Sequence, residues 1–509
     1  MHRVAHLQDI AAGRGTPVEI GELKLLLVRD GDTIHAYAGE CPHAGAPLHE
    51  GAICDGRIIC PWHKAMFAVA DGALLEPPAL DHLAKYPVSV DAAGNVRVGT
   101  DAIPVVRRQD SDDGRTMVII GAGAAGTAAA CALREFGFGG AVVLIGPEPG
   151  LPYDRTALSK FVMAGGMKPS EVPPLRPPEF FAEQRIQYVH AEATALDLAN
   201  RRVELGDAPP ILYDALLIAT GARPKPPGIP GADLAGVHTL RSLQDAAAIL
   251  DDIGSSSRAV ILGSSFIGLE VASGLREQNI EVAIVAPDEV PFQKQFGPQL
   301  GAMFKALHEE NGVVFHPGTE AAELRGGARV ECVKLQDGRT LDADLVIAGI
   351  GVRPATSFIT GIALAEDGGI PVDATMRAAE RVYAAGDIAR FPLPHGQGPA
   401  RIEHWRLAQE QARVAARNML GGSAAYDGVP FFWTYHYGLR FDYIGHAENW
   451  DDIVIAGDLN DRKFAAFFVR EGHVAAVLAC QRQEAAALLS EKLRSPLTVD
   501  QAMRLIETI

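Results

Sequence analysis

The chain is poor in cysteine. Six occur in 509 residues, at positions 41, 54, 60, 131, 332 and 480, and none forms a C-x-x-C or C-x4-C pair. Neither a disulfide framework nor a thiol relay is therefore expected. Positive charge is scarce as well: 46 Lys plus Arg stand against 63 Asp plus Glu, a formal net charge of −17. Such a surface repels phosphate backbones and anionic lipid, so no nucleic-acid partner is expected. Long apolar runs are missing too. Each is broken by Gly or charge before membrane-spanning length, which predicts no membrane span. The opening MHRVAHLQDIAAGRG lacks the apolar core of a signal peptide, and a soluble, cytoplasmic chain is the expectation. No Ser–His–Asp set, paired glycosidase carboxylates or Walker loop stands out, so hydrolysis and phosphoryl transfer are not expected. What the chain does have is apolar material, 48% of its residues, enough for large packed cores. At roughly 150 residues per domain its length predicts about three to four domains.

The first hundred residues read as short strands, such as LKLLLVRDG and TIHAYAG, separated by Gly and Asp turns. Two loops stand among them, Cys41-Pro42-His43 and Cys60-Pro61-Trp62-His63, with sixteen residues between His43 and Cys60. A structural zinc site with two Cys and two His is one reading. Finger-type sites, however, group cysteines with cysteines and histidines with histidines. The mixed pairs here suit a [2Fe–2S] cluster with dissimilar irons, one held by Cys41 and Cys60 and the other by His43 and His63.

This C-x-H…C-x-x-H pattern resembles the Rieske domain family, and KAMFAVADGALLEPPA looks like the strand and turn after its second loop. Where respiratory-type members have two further cysteines, this chain has Ala46 and Trp62. The resemblance is thus to the ferredoxin-like, lower-potential branch. Lys64 replaces the Gly usual after the second ligand, which implies a reshaped loop or a positive charge beside the cluster.

After the charged, turn-prone DAIPVVRRQDSDDGR comes TMVIIGAGAAGTAAACALREFG, an apolar strand leading through Gly121, Gly123 and Gly126 into a helix. These glycines serve a tight turn, close pyrophosphate approach and tight helix–strand contact, with phosphate at the helix N-terminus. Glu148 follows the second strand as the candidate for the ribose hydroxyls, one residue later than usual because Pro147 occupies the ordinary place.

Further segments resemble the ferredoxin-reductase and apoptosis-inducing-factor group of flavoproteins. In LPYDRTALSK, Arg155 and Lys160 would face FAD, and Lys160 would favour the anionic reduced ring. ALLIATGARP supplies Thr220 and Gly221, VYAAGDIARFP supplies Asp387, and RIEHWRLAQEQARVAARNMLGG reads as the helix beneath the flavin. A second dinucleotide unit, SRAVILGSSFIGLEVASGLREQNIEVAIVAPDEVPF, carries Gly263, Ser265 and Gly268 where the family has G-x-G-x-x-G. Ser265 crowds the pyrophosphate turn, and Ala286 stands where an acid would hold the nicotinamide coenzyme's ribose. Glu270 and Gly351 match nicotinamide-facing parts, and a Rossmann unit with poor coenzyme affinity is the competing reading. By the same resemblance Trp433 approaches the flavin ring, with core packing as the alternative, and Glu403 and His404 lie near the nicotinamide.

The implied fold is multidomain: an N-terminal all-β Rieske domain, two Rossmann-like α/β dinucleotide-binding domains and a C-terminal α+β domain. The expected boundaries are 1–103 for the Rieske domain, 104–114 for a linker, 115–240 with 375–425 for FAD, 241–374 for NAD, and 426–509 for the interface domain. The order is similar to apoptosis-inducing-factor-like proteins with an N-terminal Rieske domain. It implies NADH passing a hydride to FAD, single electrons moving to the cluster, and delivery to a redox partner such as an oxygenase component. Lys160, Glu403 and His404 are the expected catalytic residues. The competing functions are a redox sensor with slow turnover, and a flavin reductase acting on a small molecule with the cluster as a side branch.

Overall fold

The computed structural model describes residues 1–104, 113–254, 256–394 and 398–507. Residues 105–112 of the expected linker lie outside that set. No helix among the described residues is long and apolar enough to cross a membrane.

The first hundred residues form three small antiparallel sheets. One contains the hairpin Arg57–Ile59 and Met66–Ala68, whose pair Ile59↔Met66 closes the loop holding Cys60 and His63. The other cysteine loop is pinched by an isolated bridge between Glu40 and Pro47. The two loops are built alike: Cys41 N donates to Ala46 O, and Cys60 N to Ala65 O. Each cysteine is thereby fixed at a loop base with its histidine at the tip. Lys64 occupies the left-handed region at φ 58°, the conformation a glycine takes without cost.

Two parallel sheets follow. In the first, Thr116–Ile120 lies between Ala141–Gly146 and Ala215–Ile218, and is buried on both faces as parallel strands require. In the second, Arg258–Leu262 lies between Glu281–Ala286 and Leu345–Ala348. The chain crosses from one sheet to the other through an antiparallel ribbon, Ala222–Pro224 with Val352–Pro354. Val237–His238, assigned to the FAD unit from sequence, pairs with Val346–Ile347 in the second sheet. A two-residue strand carries no periodicity that could have indicated this.

The C-terminal part is a five-stranded antiparallel sheet ordered Phe431–His436, Leu439–Gly445, His473–Cys480, Lys463–Arg470, Asp452–Asp458. Trp433 pairs directly with Asp442, so both side chains leave the sheet on one face. That face receives the Rieske domain. Lys64 is fully buried and donates to Asp442 Oδ2 at 2.8 Å, while Arg406 donates to Glu76 Oε2 at 2.5 Å and to Pro77 O at 2.9 Å. Arg176 pairs with Asp81 at 2.5 Å on another side of the same domain.

Candidate functional site

The four candidate iron ligands converge. His43 Nδ1 and His63 Nδ1 lie 3.0 Å apart, with the rings edge-on. The thiols of Cys41 and Cys60 are in mutual hydrogen-bond contact. Backbone N–H groups of His43 and Ala44 aim at one sulfur, and those of Trp62 and His63 at the other, an arrangement that suits thiolates. Sulfurs pair with sulfurs and nitrogens with nitrogens. Among the described residues no three His, Cys, Asp or Glu side chains meet at one point. A two-iron cluster takes its protein ligands two by two, so this donor set fits it. Burial, with the charges of Arg440, Lys64 and Lys160 adding to it, holds His63 well below its ordinary pKa, leaving the imidazole neutral as a metal ligand must be.

A cleft of about 430 Å³ opens beside the first parallel sheet, within the size range of small-molecule sites. Its wall includes Gly121, Gly123, Glu148, Arg155, Lys160, Thr220, Gly221, Glu270, Asp387, Glu403, His404 and Trp433. The glycines explain the shape. A Cβ on Gly121 would fall 2.2 Å from Ala219 O, and one on Gly126 would fall 1.7 Å from Gly121 O. Gly123 has open space instead, at the N-cap of the helix Ala124–Glu135, where a phosphate can approach the helix N–H groups. Asp387 accepts from Arg241 at 2.9 Å, and the Glu148 carboxylate is held by Tyr153 at 2.6 Å and by Arg155.

At the end of the cleft near Lys160 the wall is polar, with Glu270 and Trp433 buried and Glu403 exposed. Lys160 Nζ lies 3.0 Å from Glu270 and 5.8 Å from the centre of the Trp433 ring. Burial, and then the charge of Asp387, raise the Glu403 pKa against the opposing pull of Arg401, which donates to it at 2.6 Å. Burial pushes His404 down to about 3, so it is neutral, and its Nδ1 is buried without a partner among the described residues. An orphaned ring nitrogen in a residue of the cleft wall suits a hydrogen-bonding group bound there. A nucleotide phosphate turn, paired acid–base groups and this unpartnered nitrogen together fit FAD.

Trp433 joins the two centres. Its ring lies 4.2 Å from that of His63, and it lines the cleft with only 7% of its surface exposed. Arg440 covers it at 5.7 Å. Sequence reasoning named Trp433 and His63 separately but not their contact. It missed Arg241, Phe266 and Phe432 of the cleft wall, and the docking groups Asp442, Arg406 and Glu76. Ser242 and Asp245 form a capping box that signals a helix start just after Arg241, a local cue to its loop but not to its partner Asp387.

Of the second dinucleotide unit, Phe266, Ile267 and Glu270 reach this wall, whereas Gly263, Ser265 and Gly268 do not line it. Gly263 (φ 92°) makes the tight turn, since a Cβ there would meet Gly349 O at 2.7 Å. Ser265 is the N-cap of the helix Phe266–Glu277, and its hydroxyl accepts from Gly268 N at 3.2 Å. A donor that would serve a pyrophosphate is thus already satisfied. Gly351 (φ 93°) has open space around it. Ala286 ends its strand buried, and Asp288 pairs with Lys294 at 3.5 Å.

Comparison with known proteins divides the chain in the same order. A family model for pyridine nucleotide-disulphide oxidoreductases matches residues 115–412, one for the Rieske [2Fe–2S] domain matches 1–87, and one for the reductase C-terminal domain matches 431–504. The chain is 36% identical over 510 residues to apoptosis-inducing factor 3 of Mus musculus, covering 97% of this chain and 84% of that protein. It is 38% identical over 345 residues to the ferredoxin–NAD(+) reductase component of the biphenyl dioxygenase system of Paraburkholderia xenovorans, covering 67% and 84%. Among solved structures, the covalent putidaredoxin reductase–putidaredoxin complex matches with a TM-score of 0.73 and 29% identity, over 78% of this chain and 99% of the matched one.

Proposed function

The chain belongs to the pyridine nucleotide-disulphide oxidoreductase family, with a Rieske [2Fe–2S] domain ahead of it, and from that premise we propose that it is an NADH-dependent reductase delivering electrons through its own ferredoxin domain to an external redox protein. The contact of His63 with Trp433 carries this reading, because it links the cluster loop to the cleft wall within one chain. Bound FAD would supply the exchange between two-electron chemistry with NADH and one-electron chemistry with a [2Fe–2S] cluster. Lys160 supplies positive charge at the cleft's redox end, and Glu270 holds that ammonium in place. His404 and Glu403 shape the nicotinamide-facing wall. Cys41, Cys60, His43 and His63 hold the cluster; Lys64 and Asp442 seat its loop on the reductase. The ferredoxin–NAD(+) reductase component of a dioxygenase system among the relatives supports an oxygenase component as acceptor. A cytoplasmic setting is part of this reading, since six cysteines in 509 residues make no disulfide framework.

Purified holoprotein titrated anaerobically with NADH should bleach first at the flavin and then at the cluster, with two iron and two acid-labile sulfides per chain. Stoichiometric zinc without sulfide would overturn the assignment. A redox sensor with slow NADH turnover is the second reading, and Ser265 with Ala286 favours it.

Coenzyme choice gives a further prediction. Without an acid at position 286 the ribose loses a charged hydrogen bond worth about 1.5–3 kcal/mol, so NADH should bind weakly. NADPH should gain nothing comparable, because Asp288 and Glu289 would repel its 2′-phosphate and Lys294 is paired with Asp288. Ala286→Glu with Ser265→Gly is expected to lower the apparent NADH constant roughly tenfold, about 1.4 kcal/mol. The Ser→Gly change costs the helix cap only about a few tenths of a kcal/mol. Steady-state titration with both coenzymes checks this; a native preference for NADPH would contradict it.

A further inference from the structure

On the reductase side of the docking face, positive charge outnumbers negative. In the pairing of Phe431–His436 with Leu439–Gly445, Arg440 lies opposite Tyr435 and Asp442 opposite Trp433. Side chains two apart on a strand share a face, so Trp433, Arg440 and Asp442 all leave the sheet toward the Rieske domain. Asp442 is shared: its Oδ1 accepts from Arg440 Nε at 2.7 Å and its Oδ2 from Lys64 Nζ at 2.8 Å. All three groups are buried. Two cations therefore stand on one anion, and Arg440 Nη2 is buried without a hydrogen-bond partner among the described residues. The next cation, Lys160, is matched by Glu270.

The field of Arg440 reaches the ligand histidines. Burial chiefly holds His43 below its ordinary pKa; the charge of Asp154 opposes this, and that of Arg440 adds to it. At His63 burial again comes first and Arg440 second. The guanidinium lies 5.7 Å from the centre of the Trp433 ring, which itself lies 4.2 Å from that of His63. Burial strengthens such a field, because little water intervenes to weaken it. Seating a domain does not call for this arrangement. Buried ion pairs can often be replaced by apolar residues of similar volume with no loss of stability, so an excess buried cation has no evident use in docking alone.

We propose that Arg440 poises the Rieske cluster to accept an electron, its charge unbalanced while the cluster is oxidised and balanced once the cluster is reduced. The proposal rests on the reading of the chain as a reductase whose flavin feeds a [2Fe–2S] cluster held by Cys41, Cys60, His43 and His63. In the oxidised cluster two sulfides and two thiolates cancel the charge of two ferric ions, and neutral imidazoles add none. One electron, given up by the reduced flavin, turns one iron ferrous and leaves a single negative charge. No bond forms or breaks. A buried cation facing the ligand histidines stabilises that charge and so raises the reduction potential. Arg440 belongs to the C-terminal domain and the ligands to the Rieske domain, so docking itself makes the cluster a better acceptor. The reductase thereby sets the potential of the ferredoxin fused to it.

The test is the cluster's midpoint potential, read by electron paramagnetic resonance as the full-length holoprotein is titrated with dithionite and redox mediators. Arg440→Gln should lower the equilibrium constant of one-electron reduction about tenfold, a fall of about 59 mV. Arg440→Met should fall as far, although only the glutamine can still donate to Asp442. Arg440→Lys should restore most of the native value. Lys64 keeps Asp442 paired in all three variants, so the domain should stay seated. A purely structural role would not sort the variants by charge. A native midpoint in both neutral variants, or a lysine variant as low as they are, would overturn the proposal. Dithionite needs no coenzyme site, so failure of NADH to reduce the protein would refute the proposed function while the midpoints still decided the role of Arg440.

Discussion

Replacing Trp433 with alanine is expected to slow electron arrival at the Rieske cluster roughly tenfold or more, about 1.4 kcal/mol or more of added barrier. The indole touches the cleft on one side and His63 on the other, at 4.2 Å between ring centres. Alanine removes that ring contact and leaves a gap where it helped to seat the domain. Trp433→Phe keeps an aromatic ring against Phe431, whose ring stacks on the indole at 6.0 Å, and should recover much of the rate. Stopped-flow absorbance resolves the two centres, with flavin reduction by NADH serving as the internal control. A cluster phase of native rate in the alanine variant would place the path elsewhere.

The second large effect concerns docking. Asp442→Ala should destabilise the seated Rieske domain by about 3–5 kcal/mol, the cost of leaving a buried charge without its partner. Lys64 has no exposed surface, and burial already pushes its pKa down to about 8 against the pull of Asp442. Lys64→Gly should cost far less. Asp442 would keep Arg440, which donates to it at 2.7 Å, and glycine takes φ 58° without a Cβ penalty. Urea unfolding followed at the cluster's absorbance should therefore show the midpoint of Asp442→Ala well below that of Lys64→Gly. The reverse order would contradict the docking account.

These two predictions separate what was legible in the sequence from what was not. Cys41, His43, Cys60 and His63 could be read because each loop carries one sulfur and one nitrogen ligand within four residues. The turn glycines were legible for the same reason: strand, turn and helix are contiguous. The Lys64–Asp442 bond spans 378 positions, and Arg406 reaches Glu76 across 330, so no local pattern announces either. Lys64 showed only as a departure from glycine. Asp442, in a strand reading LRFDYIG, looked like any polar residue on a sheet face. Thr434 and His436 share a strand face, but the run FFWTYH is so uniformly bulky that its two faces cannot be told apart before the partner helix is placed. Ser265 was read as an obstruction to phosphate; the structure adds that its hydroxyl caps the following helix.

The central claim is that the Rieske domain takes electrons from the flavin of its own chain, and the concentration dependence of cluster reduction tests it most directly. After anaerobic mixing with excess NADH at a series of protein concentrations, the cluster phase should follow flavin bleaching with a first-order rate constant that does not change with protein concentration. A rate constant rising in proportion to protein concentration, or a cluster still oxidised when the flavin is fully reduced, would contradict it.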